Sequence, residues 1–217
     1  MAGISLEVET RVQFPTVEEA FAAIPFLKES LIRENSWTTI YYGHFLFLKD
    51  QGLRIGVIRR SNGITQTFLG WKGPDQGNFA NIREELDEEI TCGIADSHIL
   101  RLLGGKPHHA DTAAVIDELI RLNHRPFMEF SGNNRSGFYE PLQIHLKLMH
   151  CPILRWPLLV ELEKTAATLE EAKFHQSELE KLIADLGLTA SVVREEPPTL
   201  LYQTLTSGPD SLFQRRD

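Results

Sequence analysis

The segment PLLVELEKT, residues 157–165, sets two glutamates into what otherwise reads as a buried apolar strand. Glu161 and Glu163 lie two residues apart, so an extended chain puts both on one face, about 6.6 Å from each other. A carboxylate buried without a partner costs several kcal/mol. Any fold that uses this strand must therefore bring cations to it. The pattern recurs at the N-terminus, where ISLEVETRVQF alternates Ile4, Leu6, Val8 and Val12 with Glu7, Glu9 and Arg11. It recurs again in NIREELDEEI, where Arg83, Glu85 and Asp87 share a face. Each run by itself is what a solvated strand face looks like. A partly wet barrel interior holding metal ions would satisfy all three runs together.

The charges in that interior suit a particular kind of ligand. Basic side chains fall on neighbouring β-like runs, with Arg54 in LRIGVIRR, Lys72 in GWKGP and Arg83 itself. Carboxylates hold hard divalent cations such as Mg²⁺ or Mn²⁺, and Arg and Lys clamp phosphate oxygens, so the set as a whole matches a polyphosphate. The net charge of −8 excludes a DNA binder that works by simple attraction to a polyanion. An acidic chain takes a polyanion when metal ions stand between the two.

Length and punctuation give the rest of the organisation. The chain has 217 residues and reads as one domain over 1–207, with 208–217 expected to be a flexible tail. After the first strand, Thr16 and Glu19 form a helix-capping pair for VEEAFAAIPFLKES, which Pro25 must break. A meander of strands follows through TTIYYGHFLFLKD, GLRIGVIRRS, ITQTFLGWKGP and ANIREELDEEI, with turns expected at Gln51-Gly52 and Ser61-Asn62-Gly63. TAAVIDELIRL reads as a helix. RPFMEFS and GFYEPLQIHLKLMH read as a hairpin turning at Gly132-Asn133-Asn134, which puts Arg135 at its tip. The strand carrying Glu161 precedes the clearest helix, residues 168–186, ended by Gly187, and short apolar segments close the domain. The sum is an α+β fold with a large antiparallel sheet. No apolar stretch approaches the roughly 20 residues of a membrane helix. Two cysteines make no disulfide framework, and a cytoplasmic protein that engages no membrane is expected. The sequence leaves the oligomeric state open.

The ordered set of motifs resembles the CYTH superfamily, the triphosphate tunnel metalloenzymes. Glu7-x-Glu9-x-Arg11 is similar to that family's N-terminal ExExK. Tyr41-Tyr42, Leu53-Arg54-Ile55, Trp71-Lys72-Gly73-Pro74, Arg83-x-Glu85-x-Asp87, Glu161-Leu162-Glu163 and Leu201-Tyr202 follow in the family's order. The resemblance implies an eight-stranded antiparallel β-barrel, the triphosphate tunnel, with helices packed outside. It implies metal ligands at Glu7, Glu9, Glu85, Asp87, Glu161 and Glu163, and substrate contacts from Arg11, Arg54, Arg60, Lys72 and Arg83. Glu7, Glu9 and Lys72 are the expected catalytic set.

The chain also departs from that pattern. Arg11 stands where lysine is usual, and Gly56 replaces a second arginine, with Arg60 further along the same strand face. The family's later K-x-R pair has no counterpart near Glu129 and Phe130, which makes Lys147 or Arg135 the candidate replacement cation. The aspartate expected before the last acidic pair is replaced by His150 or Cys151.

Three functions fit these residues. They are metal-dependent hydrolysis of a triphosphate-bearing small molecule, formation of cyclic AMP by a class IV adenylyl cyclase, and triphosphate binding without turnover. His108-His109 reads as a polar loop and His150-Cys151 as packing. Trp71, Trp156, Tyr41 and Tyr42 read as structural, and the amphipathic helix 168–186 as a core-packing element.

Overall fold

The computed structural model describes residues 5–43, 54–61 and 64–207; within 54–61 it describes the backbone and the Ile58 side chain. Among the described residues nine strands form one antiparallel sheet: β1 (Ser5–Phe14), β2 (Leu31–Tyr42), β3 (Arg54–Ser61), β4 (Thr65–Lys72), β5 (Asn81–Glu89), β6 (Pro126–Tyr139), β7 (Ile144–His150), β8 (Leu158–Ala166) and the short β9 (Val192–Val193). Their order is β5-β4-β3-β2-β6-β7-β8-β1, and the first half of β1 pairs back onto β5. That last pairing closes the sheet into an eight-stranded barrel. β9 continues the same edge beside Arg11 and Val12.

Alternation along each strand sorts residues between lumen and exterior. On β1, β7 and β8 the exterior set is Val8, Val12, Ile144, Leu146, Leu148, Val160 and Leu162, all buried. They pack under α1 (Val17–Ala23), α2 (Leu27–Ser30) and α5 (Leu169–Asp185), through Ala20, Ile24, Leu27, Ala172, Leu179 and Ile183. Thr16 caps α1 by accepting from the Glu19 backbone N–H, as its sequence spacing predicts. The chain breaks between α1 and α2 at Pro25. A second layer, α3 (His98–Leu102) and α4 (Thr112–Arg121), covers Leu69, Trp71 and Tyr42 on the other side. No helix among the described residues is long and apolar enough to cross a membrane.

Two expectations are corrected here. The segment Gly132-Asn133-Asn134 is not a turn, because β6 runs straight through it and the chain reverses at the 3-10 turn Glu140–Leu142, closed by Gln143 at φ 52°. Gly132 is a close-approach residue: a Cβ there would lie 2.7 Å from the Trp37 ring and 2.8 Å from the His150 carbonyl. Arg135 accordingly sits inside β6, not at a tip, and its guanidinium donates to the Leu31 carbonyl. The closing apolar segment is a helix, α6 (Pro197–Ser207), opened by the two prolines a first turn tolerates. The meander turns at Gln51-Gly52 and Asn62-Gly63, and the tail 208–217, lie outside the described residues.

Candidate functional site

The lumen holds a cavity of about 510 Å³. One wall is charged, with Glu7 from β1, Lys72 from β4, Glu85 and Asp87 from β5, Lys147 from β7, and Glu161 and Glu163 from β8. The facing wall is β2 and β6, which contribute Trp37, Tyr41 and Phe130 together with Asn35, Asn134 and Ser136. Phe130 stacks on Tyr41 at 5.5 Å and meets Trp37 edge-on at 5.0 Å. At one end the lumen-side Trp37, Met149 and Leu159 pack against Leu201, which is 1% exposed, so α6 closes that end.

Antiparallel register explains how distant residues meet. Glu9 lies opposite Glu163 and Arg11 opposite Glu161 between β1 and β8, while Lys147 lies opposite Glu161 between β7 and β8. Lys72 lies opposite Glu85 between β4 and β5. Two cationic centres result. The Lys72 ammonium pairs with Glu7, with Glu9 at 3.3 Å and with Glu85 at 3.3 Å. The Arg11 guanidinium, 1% exposed, donates to Glu9, to Glu161 at 2.9 Å and to Glu196 at 3.0 Å. Glu161 commits its two oxygens to Arg11 and to Lys147, the latter at 2.7 Å.

Charge is unevenly compensated across this wall. Burial pushes the Glu7 carboxyl up to about 8; Lys72 opposes the rise, and the neighbouring Glu85 adds to it. Burial likewise lifts Glu163 to about 7, with Glu7 adding and Lys72 opposing. Burial also raises Glu9, against the pull of Arg11. Glu161 is the opposite case: burial would raise it, but Lys147 and Arg11 together hold it down at about 2. Among the described side chains, the Glu7–Glu85–Glu163 side of the lumen is where carboxyls crowd and are raised. Among the described residues, no three His, Cys, Asp or Glu side chains are grouped so as to hold an ion by themselves.

The motif residues thus fall into three sets. Glu7, Lys72, Glu85, Asp87, Lys147, Glu161 and Glu163 line one cavity. Glu9, Arg11 and Arg83 are buried beside it, with Arg83 donating to the Gly73 carbonyl at 2.7 Å. The backbone sets Arg54 opposite Lys72, and Arg60 opposite Gln66 and Trp37; the side chains of Arg54 and Arg60 lie outside the described residues. Glu196 is a site residue that sequence reading missed. It lies 185 positions from Arg11, and no local pattern announces it. Tyr41, which the sequence presents as a structural residue, lines the cavity. Only its even spacing with Trp37 and Thr39 on β2 could have signalled this.

A closed antiparallel barrel of eight strands, with charged residues inside and helices outside, is the CYTH-type or triphosphate-tunnel fold. Solved structures share it. The PH1819 protein of Pyrococcus horikoshii OT3 superposes with a TM-score of 0.69 at 19% identity, over 91% of this chain and 98% of its own. A candidate adenylate cyclase of Vibrio parahaemolyticus gives 0.63 at 12% identity, over 93% and 99%. HpAC1 of Hippeastrum, a candidate adenylyl cyclase with a dominant triphosphatase activity, gives 0.50 at 16%, over 85% and 89%. No family model and no curated protein matches the sequence.

Proposed function

We propose that this chain hydrolyses a triphosphate-bearing small molecule inside its barrel, with Mg²⁺ or Mn²⁺ as cofactor. The observation that supports this best is Lys72, a single ammonium set among Glu7, Glu9 and Glu85 on the wall of the cavity. The donor set is all carboxylate oxygen, which fits a hard divalent ion. Mg²⁺ is commonly held by one or two carboxylates and completed by substrate phosphates, so a protein cage of three acids is not required.

Glu7, Glu85 and Asp87 are the residues that would hold the ion, which when bound neutralises phosphate charge and acidifies water. Lys72 and Lys147 draw the non-bridging oxygens to the wall and stabilise charge on the transferred phosphoryl group. Glu163, whose carboxyl burial lifts to about 7, is partly ionised near neutral pH, and in that ionised form it accepts a proton from the attacking water. Glu9 and Arg11, buried beside the cavity, fix the orientation of Lys72 and Glu161, and the Arg11 and Arg83 guanidiniums are further donors for the ligand's phosphate oxygens.

The test is a panel of mono-, di- and triphosphates, with inorganic triphosphate and ATP among the last group, assayed with Mg²⁺, Mn²⁺ or chelator. Orthophosphate release that needs metal and a triphosphate is expected. Cyclic AMP as the product would replace hydrolysis by cyclisation, and metal-dependent binding without turnover would leave a sensor. Binding undiminished by chelator, or equal affinity for AMP, ADP and ATP, would remove the proposal.

Lys147 gives a sharper prediction. Its side chain is 37% exposed and its partner Glu161 keeps Arg11, so Lys147→Ala should leave the thermal midpoint nearly unchanged. A charge-assisted contact of about 1.5–3 kcal/mol goes with it. Triphosphate affinity measured by calorimetry should drop at least about ten-fold, and wild-type affinity would show that Lys147 does not meet the ligand.

A further inference from the structure

The residue that opens α6 also reaches the arginines buried beside the lumen. The backbone carbonyl of Glu196 accepts the first helical bonds of α6, from Thr199 at 2.9 Å and Leu200 at 3.1 Å. Its side chain turns away from that helix, and Glu196 is 8% exposed. One carboxylate oxygen lies 3.0 Å from the Arg11 guanidinium, 3.3 Å from that of Arg83 and 3.2 Å from the Asn81 amide. An anion on two guanidiniums and an amide is the arrangement that a phosphate oxygen takes in a basic subsite. The next residue, Pro197, lines the cavity.

Arg11 does not need this third acid for neutrality, because Glu9 and Glu161 already pair with it. A further carboxylate in an acid-rich interior is costly unless the contact serves another purpose. Here the ion pairs hold the first turn of α6 against the barrel, while Leu201 is seated among Trp37, Met149 and Leu159 one turn later. The helix end is thus fastened by one ionic and one apolar anchor, and the ionic anchor sits on arginines that a ligand would use.

We infer that Glu196 is an internal competitor for a phosphate subsite made by Arg11, Arg83 and Asn81, and that α6 is the gate it holds shut. This rests on the reading of the lumen as a triphosphate site. A phosphate group brings more charge and more acceptor oxygens than one carboxylate, so it wins the guanidiniums. Glu196 is then left beside an anion in a confined space and moves toward water, taking the first turn of α6 with it. Ligand entry and helix release become one equilibrium. Whatever weakens the anchor must tighten the ligand, by the same factor.

The experiment compares wild type with Glu196→Gln, which keeps the size of the side chain and removes its charge. The exposed neighbour variant Glu195→Gln controls for net charge alone. Calorimetry with inorganic triphosphate and Mg²⁺ should show Glu196→Gln binding at least ten-fold tighter than wild type, with Glu195→Gln unchanged. In the wild-type protein, hydrogen exchange of the peptide covering α6 should speed up on addition of the same ligand, while β1 and β8 become more protected. If wild type binds triphosphate but Glu196→Gln binds equally or more weakly, the competitor is refuted and the ligand reading stands. Unchanged or slower exchange in α6 on binding refutes the gate, even if the variant fails to fold. If no variant binds triphosphate, the inference and the function it rests on go together.

Discussion

Replacing Arg11 by Met should lower the thermal midpoint by about 10 °C or more, the largest effect expected of any single substitution in the lumen. Arg11 is 1% exposed and faces Glu9, Glu161 and Glu196 at once. Its removal leaves those carboxylates buried without their common cation, and breaking a buried ion pair in this way costs about 3–5 kcal/mol. For a domain of this size, each kcal/mol is worth about 2–4 °C. Lysine should rescue only in part, since one ammonium cannot present the fork that reaches three acceptors. Adding Glu196→Gln to Arg11→Met should restore part of the loss, because the second change removes a charge that the first one orphaned. Scanning calorimetry of the two single variants and the double variant decides the matter. A midpoint within 2 °C of wild type for Arg11→Met, taking about 1 kcal/mol as the threshold, would mean the acids find other partners.

The second large effect is in pH and metal. In metal-free protein, stability should decline as pH rises from about 5 to about 8. The sign follows from Glu7, raised to about 8 by burial with Glu85 adding and Lys72 opposing, and from Glu163, raised to about 7 by burial with Glu7 adding. Between 4.5, the ordinary value, and these raised values the folded chain keeps protons that the unfolded chain has released. Stability is therefore full below the ordinary value and is lost as pH climbs through 7 to 8. Glu161, held at about 2 against burial by Lys147 and Arg11, works the other way, but only below pH 4.5. A loss of several kcal/mol, upward of about 10 °C, is expected across the upper window. Mg²⁺ should reverse it, because an ion takes the place of those protons and binds more tightly as pH rises. At a hundred-fold excess over its dissociation constant it would return about 2.7 kcal/mol. Thermal melts at pH 5 and pH 8, with and without Mg²⁺, test both halves. A midpoint that rises with pH in chelator, or a Mg²⁺ effect equal at both values, contradicts the account.

Strand identity, and the sidedness of each strand, were legible in the chain because period-two alternation is a local property. Glu7, Glu9 and Arg11 declared a face of β1, and Glu161 and Glu163 a face of β8. The helical stretches of α1, α4 and α5 were legible too, with Thr16 and Gly187 marking two of their ends. The short α3 and the closing α6 were not anticipated, although Ser97 caps α3 by accepting from the Leu100 N–H. The reversal after β6 was misplaced because Gly-Asn-Asn has the composition of a turn. Whether Gly132 bends the chain or makes room depends on Trp37, which lies across the sheet and 95 positions away in sequence.

The pairing of charges was beyond any local reading. That Lys147 and Arg11 divide the oxygens of Glu161 depends on the registers of β7 and β1 with β8, which are fixed by the whole barrel closing at β1–β5. Glu196 is the extreme case: only the path of the chain after α5 brings it to Arg11 and Arg83. Sequence by itself determined which faces carry charge, since that requires only a two-residue period. Tertiary structure alone decided which acid meets which base, and so which carboxyls are held ionised and which are raised toward neutrality, because Coulomb energy depends on distances that the chain sets across the barrel.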